Sequence, residues 1–433
     1  MNFLQKTFFA IVMISFTTSL TAENGYDLWM RYKTIDNKEL AIEYTKSIAT
    51  ISINESYPAL KAAAKELRLA FDGLLGEVPS FNKVVTNNTL IVGTPASCEF
   101  IKNLDFVSDV FKTGDEGYLI RTIEVDGKSC VVIAANTQIG ALYGSFHFIR
   151  LLQTYQLISN LDIVEIPKLK YRILNHWDNL NGTVERGYAG YSLWDWQRLP
   201  MYVDQRIIDY ARANASIGIN GTVLNNVNAN ANSLSREYLI KAAALADVMR
   251  PYGIKVYLTA KFSAPIELGR LKTANPMNSE VRKWWKNKAD EIYHYIPDFG
   301  GFLVKANSEG QPGPQDYKCS HADGANMMAE ALEPHGGIVM WRAFVYENKR
   351  NVDRASSGYN EFIKLNGKFH HQWSFRLHRN TWVIQQIWFI WHHCLKKHLI
   401  HIHFQMEKER QWQIFWKIIN NQTECPELLE FLI

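Results

Sequence analysis

Hydrophobic and polar positions follow two different rhythms along the chain, and the rhythm changes near residue 163. Before this point, apolar residues at helical spacing and apolar or alternating runs at strand spacing are closed by turn residues. The predicted elements are helices over 57–76 and 137–153 and strands over 88–95, 116–127 and 129–136, the last two joined in a hairpin at Asp126-Gly127. This mixture indicates a compact α+β domain over 23–162.

After residue 163, five short apolar runs alternate with helical segments, and each run ends in polar or aromatic residues. This alternation is typical of a (β/α)8 barrel, whose active site forms at the carboxyl ends of the strands. A doubly wound sheet is the alternative, but no glycine-rich phosphate loop follows the first strand. The sequence therefore predicts an α+β N-terminal domain followed by an incomplete (β/α)8 TIM barrel over 163–369. The five recognisable strands lie in 171–179, 221–229, 254–263, 300–309 and 336–347.

The residues that end these runs combine aromatic, amide and ionic groups, a combination that suits a sugar. A pyranose has apolar faces that stack on rings and a rim of hydroxyls that need directional partners. Lys305 and Arg342 could also pair with an acidic group, which fits a uronic acid. The candidates are His176, Trp177, Asp178, Asn179, Asn225, Asn226, Asn228, Lys261, Lys305, Asn307, Glu309, Trp341 and Arg342.

Three of these candidates, Lys305, Asn307 and Glu309, occupy alternate positions of one apolar run. If the run is an extended strand, their side chains share one face and point into one pocket. A buried Glu309 could then protonate a glycosidic oxygen. A glutamate near a lysine at a strand end is ordinarily a salt bridge. The interpretation of Glu309 as a proton donor therefore depends on the whole set of candidate residues and not on this pair alone.

Composition narrows the choice of partner. The 433 residues are 47% hydrophobic and 21% charged, and the net charge of +4 is not gathered into long basic runs. Nucleic acid and anionic membrane are therefore poor candidates for a partner. The five cysteines are scattered without a CxxC pair, which predicts buried thiols and neither a disulfide framework nor a zinc site.

The first 22 residues have one early lysine, an apolar stretch over 8–16 and small polar residues before Ala22. This pattern predicts a signal peptide over 1–22 and export to the periplasm or the extracellular space. A membrane anchor is the alternative, but the apolar stretch is too short to span a bilayer.

Four long motifs follow one another along the chain: "GYDLWMRY" (25–32), "NHWDNLNGTVERGYAGYSLWDW" (175–196), "VKANSEGQPGP" (304–314) and "HADGANMMAEALEPHGGIVMWRAFVYE" (321–347). They resemble the α-glucuronidases of glycoside hydrolase family 67, and the resemblance covers 23–369. The resemblance implies an inverting hydrolase, without cofactor, that removes (4-O-methyl)glucuronic acid linked α-1,2 to xylose in xylan fragments. By motif position, Glu309 matches the family's general acid, while Trp177, Lys305 and Arg342 match residues that hold the uronic acid.

Residues 370–433 depart from this family pattern and form the fourth predicted segment. They contain no Asp, Gly or Ala, where average usage would supply roughly a dozen, yet they hold 8 of the 13 His and 6 of the 13 Trp. We interpret the segment as an out-of-frame translation. The alternative is a histidine-rich metal tail around His392-His393 and His401-x-His403, but its spacing is not that of a metal site.

In the family, the carboxylates that activate water lie in the segment that residues 370–433 replace here. An inverting hydrolase needs both an acid and a base. Among the remaining acids, nothing in the sequence selects Asp178, Glu185 or Asp323 as a base. The chain is therefore predicted to bind glucuronoxylan-derived oligosaccharides but to be inactive as written, with no metal and no family-type dimerisation. The alternatives are a non-catalytic carbohydrate-binding remnant and another glycosidase acting on acidic sugars.

Overall fold

The structure is a computed structural model that describes residues 25–228, 230–308, 310–342, 362, 364–365 and 367–369. The predicted signal peptide, Glu309 and the predicted tail lie outside the described residues. No helix in this described part of the chain is long and apolar enough to cross a bilayer.

A mixed sheet organises the first part of the chain. Its strands are β1 (Thr50–Ile53), β2 (Ser80–Phe81), β3 (Thr89–Gly93), β4 (Tyr118–Val125), β5 (Lys128–Ala135) and β6 (Asp162–Glu165). They lie in the order β2-β1-β3-β5-β4-β6; β4 runs antiparallel to β5 and β6, and the other neighbours run parallel. This sheet extends to residue 165, past the predicted boundary at 162/163.

Ten α-helices lie in the described part of the chain. In the first part they are α1 (Lys38–Ser47), α2 (Pro58–Leu75), α3 (Glu99–Lys102), α4 (Val107–Lys112) and α5 (Gln138–Gln153). In the second part they are α6 (Gln205–Ser216), α7 (Arg236–Met249), α8 (Ala264–Glu267), α9 (Ser279–Tyr295) and α10 (His321–Leu332).

Local sequence signals account for the elements predicted in the first part. Helix α2 has Pro58 at its first position, where a missing N–H costs nothing, and ends at Gly76 with a left-handed φ of 74°. Strands β4 and β5 form the predicted hairpin, because Asp126 and Gly127 both adopt positive φ, 52° and 71°, between them.

A second, parallel sheet contains all five strands predicted after residue 163. Its strands are β7 (Ile173–Asn175), β8 (Gly221–Val223), β9 (Lys255–Thr259), β10 (Gly301–Val304) and β11 (Ile338–Trp341). They lie in sequence order across the sheet, and every neighbouring pair is parallel. The described strands form an open half-barrel, so closure into a complete barrel stays a prediction.

Helices α6, α7, α9 and α10 connect successive strands of this sheet, as the alternating pattern predicts. Side chains of Asp204, Asn278 and Ser320 cap α6, α9 and α10 by accepting hydrogen bonds from N–H groups of the first turn. Close strand pairing depends on Gly301, whose φ is 135°; a Cβ there would lie 1.8 Å from the Ile338 carbonyl oxygen. These features fix where the loops after the strands begin and end.

The motif "GYDLWMRY" joins the two parts of the molecule. The Trp29 indole donates to the Ser216 hydroxyl of α6 at 2.7 Å. Tyr32 donates to Glu66 of α2 at 2.5 Å, and Glu66 accepts two hydrogen bonds of 2.8 Å from Arg212 of α6. These hydrogen bonds therefore hold α6 against the first part of the chain.

The cysteine prediction is confirmed only in part. Cys98, Cys130 and Cys319 are free thiols; Cys130 is buried, whereas Cys98 and Cys319 are partly exposed. The described residues contain no group of three or more His, Cys, Asp or Glu that could hold a metal ion.

Candidate active site

The carboxyl ends of β7 to β11 gather the predicted sugar-binding residues at one edge of the parallel sheet. Trp177 lies two residues after β7, Lys305 directly follows β10, and Arg342 directly follows β11. Because parallel strands end at the same edge, these three residues lie on one side of the molecule. Glu309 lies outside the described residues, so its predicted role stays a prediction.

Lys305 is a buried cation, with 3% of its surface exposed. Its Nζ donates a hydrogen bond of 2.7 Å to Oδ1 of Asn228, in the loop after β8. Because β9 lies between β8 and β10, the lysine side chain reaches across the carboxyl end of β9. Burial of an ammonium group is costly without partners, so its position is set by specific polar contacts.

Arg342 lies beside Lys305 at the same edge. Val304 and Trp341 are partners in the register of β10 and β11, and the Arg342 N–H donates to the Val304 carbonyl at 3.0 Å. The two basic residues therefore follow paired positions of adjacent strands. This arrangement concentrates positive charge at the sheet edge, where an anion would be favoured.

Trp177 is 39% exposed, so part of its ring faces solvent. Its carbonyl oxygen accepts a hydrogen bond of 2.9 Å from the Glu185 N–H, which ties the loop after β7 back on itself. An exposed indole on a held backbone offers a rigid face for stacking on a pyranose.

The predicted alternation of Lys305, Asn307 and Glu309 is wrong at Asn307. Strand β10 ends at Val304, and Asn307 adopts a left-handed φ of 48°. Its side chain accepts from the Gln315 N–H at 3.0 Å and donates to Asp316 at 3.1 Å. Asn307 therefore braces the following turn, and the period-two pattern of a strand does not reach it.

Two other asparagines among the candidates also hold the scaffold. The Asn225 amide accepts from the Thr259 N–H at 2.8 Å and donates to the Thr259 carbonyl at 3.0 Å, joining the ends of β8 and β9. Asn226 donates to Asn179 at 3.1 Å and to the Glu185 carbonyl at 3.0 Å. Their amide groups connect the loops that carry Trp177 and Asn228.

The candidate Lys261 forms an ion pair of 2.9 Å with Glu267. Trp341 is buried and donates from its indole to His321 at 3.1 Å. Both contacts lie within the protein and give these residues structural roles.

Asp178 is buried and engaged, with 4% of its surface exposed. It accepts from the Leu193 N–H at 2.6 Å, and its second oxygen lies 3.5 Å from Nδ1 of His176. Burial raises the pKa of Asp178, but the hydrogen bonds from His176, Ser192 and Leu193 outweigh it, and the net pKa is lowered. A carboxylate held in this way stabilises its loop.

Family models match most of the described chain. The model of the glycosyl hydrolase family 67 N-terminus matches residues 28–148, and the model of the family's middle domain matches residues 151–378. The chain belongs to glycosyl hydrolase family 67. The middle-domain match ends at residue 378, past the predicted boundary at 369, and includes every strand of the parallel sheet.

Fungal relatives of this family 67 chain carry the name α-glucuronidase A. A probable α-glucuronidase A of Neosartorya fischeri is 39% identical over 356 residues, which cover 80% of this chain and 41% of that protein. The α-glucuronidase A of Emericella nidulans is 38% identical over 365 residues, covering 80% of this chain and 42% of that protein. The chain thus spans about two fifths of the length of these curated relatives.

A solved GH138 enzyme targeting pectin rhamnogalacturonan II is similar at a TM-score of 0.45 and 15% identity, over 72% of this chain and 37% of that one. This likeness is too slight to carry an argument.

The sequence offered Glu185 only as one of three remaining acids, whereas the structure marks it as unusual. Its φ is 58°, a conformation that is uncommon outside glycine, and its Oε2 atom is buried without a hydrogen-bond partner among the described residues. The only sequence signal was its position in the 175–196 motif, between Gly182 and Gly187.

Proposed function

We propose that this family 67 chain recognises (4-O-methyl)glucuronic acid linked α-1,2 to xylose in xylan-derived oligosaccharides. Lys305 and Arg342 hold the uronic carboxylate, and Trp177 stacks on the sugar. The observation that carries the proposal is the buried Lys305 beside Arg342 at the carboxyl edge of the parallel sheet. The fungal relatives, named α-glucuronidase A, support the same substrate class.

The proposed chemistry is glycoside hydrolysis with inversion. Glu309 donates a proton to the glycosidic oxygen, and a second carboxylate activates water from the opposite face. Asp178 does not support the role of base, because its oxygens face Leu193 and His176. Asp323 caps α10 through Ser320. We therefore propose that the 433-residue chain binds its substrate but does not release glucuronic acid.

The proposed architecture follows from the same family membership. The five parallel strands belong to a (β/α)8 barrel over 163–369, with 23–162 as an accessory domain, the chain beyond the middle-domain match at 378 outside the family fold and 1–22 as an export signal. Circular dichroism and limited proteolysis of the whole chain test this division, since a folded 370–433 segment would resist cleavage.

An activity assay on aldouronic acids tests the proposed function. The chain as written is compared with a version whose reading frame is restored after residue 369. The first is expected to release no glucuronic acid, and the second to release it as the β-anomer in early NMR spectra, because inversion converts the α-linkage. Equal release by both chains, or the α-anomer as first product, would contradict the proposal.

The same assay separates the alternatives. A restored chain that binds aldouronic acids but never cleaves them would be a carbohydrate-binding remnant. Cleavage of other acidic glycosides, with aldouronic acids left intact, would identify a different glycosidase.

A further inference from the structure

The loop after β7 contains a small antiparallel ribbon, made of residues 177–179, 182–185 and 190–192. Two backbone hydrogen bonds, of 2.8 Å and 2.9 Å, join the first segment to the second. Two more, of 2.8 Å and 3.1 Å, join the second segment to the third. The bonds follow the pattern of an antiparallel sheet, so side chains along each segment alternate between two faces of the ribbon.

Trp177 and Tyr191 lie on the same face of this ribbon. Asp178 is paired with Val184, and Thr183 is paired with Tyr191. Paired residues point to the same face, and successive residues point to opposite faces. Thr183 and Tyr191 therefore lie on the face opposite Asp178, and Trp177, which directly precedes Asp178, shares their face.

One face of the ribbon packs on the protein and the other meets solvent. Asp178, on the first face, is 4% exposed, and its carboxylate accepts from the Leu193 N–H at 2.6 Å. On the second face, Tyr191 is 83% exposed and Trp177 is 39% exposed. The face that carries both rings is therefore open to a ligand.

The two rings stand at the ends of a polar strip. Between them, the Asn179 amide donates to the Thr183 hydroxyl at 2.9 Å, and both of these side chains are shorter than the rings. Tyr191 lies on the third segment and Trp177 on the first, which separates them by roughly 10 Å at the usual spacing of strands. A single pyranose is too small to touch both rings, whereas an oligosaccharide can reach both.

We propose that Tyr191 stacks on a xylose unit of the bound oligosaccharide, beyond the xylose that carries the uronic acid. The tyrosine ring offers an apolar surface to the face of the sugar, while its hydroxyl stays in water. The paired backbone already holds the residue in place, so little conformational freedom is lost on binding. This inference rests on the proposed function for the identity of the sugars, and it adds a preference for longer chains.

The test compares ligands of different length on variants of the whole chain. Calorimetry measures binding of aldouronic acids in which the same uronic acid is linked to xylose, xylobiose or xylotriose. The variants are Tyr191→Ala, which removes the ring, and Tyr191→Phe, which keeps it. Tyr188→Ala is the matched control, because Tyr188 is 77% exposed in the same loop but lies in the turn between two paired segments.

The wild-type chain is expected to bind the longest acid roughly 3- to 10-fold more tightly than the shortest, the gain typical of one stacked ring. Tyr191→Ala should abolish this gain, whereas Tyr191→Phe and Tyr188→Ala should keep it. Equal affinity of the wild-type chain for all three acids would overturn the proposal. A gain that survives in Tyr191→Ala, or that is lost equally in Tyr188→Ala, would overturn it as well.

Thermal unfolding separates binding from a structural role. The Tm of Tyr191→Ala should match that of the wild-type chain, because the ring is exposed. A lower Tm together with weaker binding of every acid would show that Tyr191 supports the fold, and it would overturn the proposal.

A second copy of this chain is another occupant that could cover the same face. Sedimentation of the wild-type chain and of Tyr191→Ala measures self-association. A wild-type dimer that dissociates in Tyr191→Ala, while the preference for longer acids is unchanged, would identify that occupant and overturn the proposal.

Lys305→Met separates this inference from the proposed function. Loss of acid binding in Lys305→Met, with a length preference that Tyr191→Ala leaves intact, would leave the proposed function standing and overturn the role of Tyr191. Unchanged acid binding in Lys305→Met, with a length preference that Tyr191→Ala abolishes, would support Tyr191 and contradict recognition of a uronic carboxylate. Failure of the wild-type chain to bind any of the acids would overturn both.

Discussion

Lys305 and Asn228 are joined by a hydrogen bond of 2.7 Å across the carboxyl end of β9. The bond connects the loop after β8 with the end of β10, and it directs a buried ammonium group toward the middle of the sheet edge. Arg342 follows the neighbouring strand at the paired position. The positive charge of the site is therefore built into the strand ends, where the backbone is most firmly held.

Asn228→Ala should destabilise the protein by about 1–3 kcal/mol, because it removes an acceptor from the buried Lys305 ammonium. Urea unfolding measures the change in the free energy of unfolding. In a Lys305→Met background the same substitution should cost much less, since the donor is already gone. An equal cost in both backgrounds would show that Asn228 stabilises the fold by other contacts.

Arg212→Met should destabilise the protein by about 3–5 kcal/mol, because it leaves the Glu66 carboxylate buried without its bidentate partner. Glu66 is 2% exposed, and both of its hydrogen bonds from Arg212 measure 2.8 Å.

Adding Glu66→Gln to Arg212→Met should recover part of the loss. The neutral amide still accepts from the Tyr32 hydroxyl, which donates to Glu66 in the wild-type chain. A double variant less stable than Arg212→Met would contradict the assignment of the cost to a buried charge.

His147 should make stability fall as the pH drops from about 6.5 to about 4. Burial, with a smaller contribution from the charge of Arg150, lowers the pKa of His147 to about 4. The folded state thus keeps the ring neutral while the unfolded state takes up a proton, so the stabilisation is complete above the unfolded pKa and is lost toward the folded one. The loss should reach up to about 3 kcal/mol.

Urea unfolding at a series of pH values checks this prediction, with His147→Gln as the control. The variant keeps a polar partner for Tyr118, whose hydroxyl lies 2.9 Å from Nδ1 of His147. Its stability should vary less between pH 6.5 and 4 than that of the wild-type chain. Equal slopes would show that other groups cause the dependence.

Much of the fold could be predicted because its signals are local. The five strands of the parallel sheet are apolar runs between helices, and Asp126-Gly127 specifies its turn with two residues. Strands β1, β2 and β6 were not predicted, since β1 and β2 have four and two residues and β6 has mostly exposed ones. Pairing with longer neighbours, which is a tertiary effect, makes them strands.

The site was predictable where it depends on strand ends and not where it depends on loops. Lys305 and Arg342 follow predicted strands, so their adjacency follows from parallel pairing. The left-handed backbone of Asn307 and of Glu185 could not be predicted, because side-chain contacts with other loop residues stabilise it. Alternate positions in the sequence predict side chains on one face only where the backbone is an extended strand.

The positive strand ends are proposed to recognise a uronic carboxylate. The most direct test is calorimetric binding of an aldouronic acid and of its carboxyl-reduced analogue to the wild-type chain and to Lys305→Met. We expect the wild-type chain to prefer the acid by at least about tenfold, the value of one charged hydrogen bond, and Lys305→Met to lose this preference. Equal affinity of the wild-type chain for the two ligands, or a preference that survives in Lys305→Met, would contradict the claim.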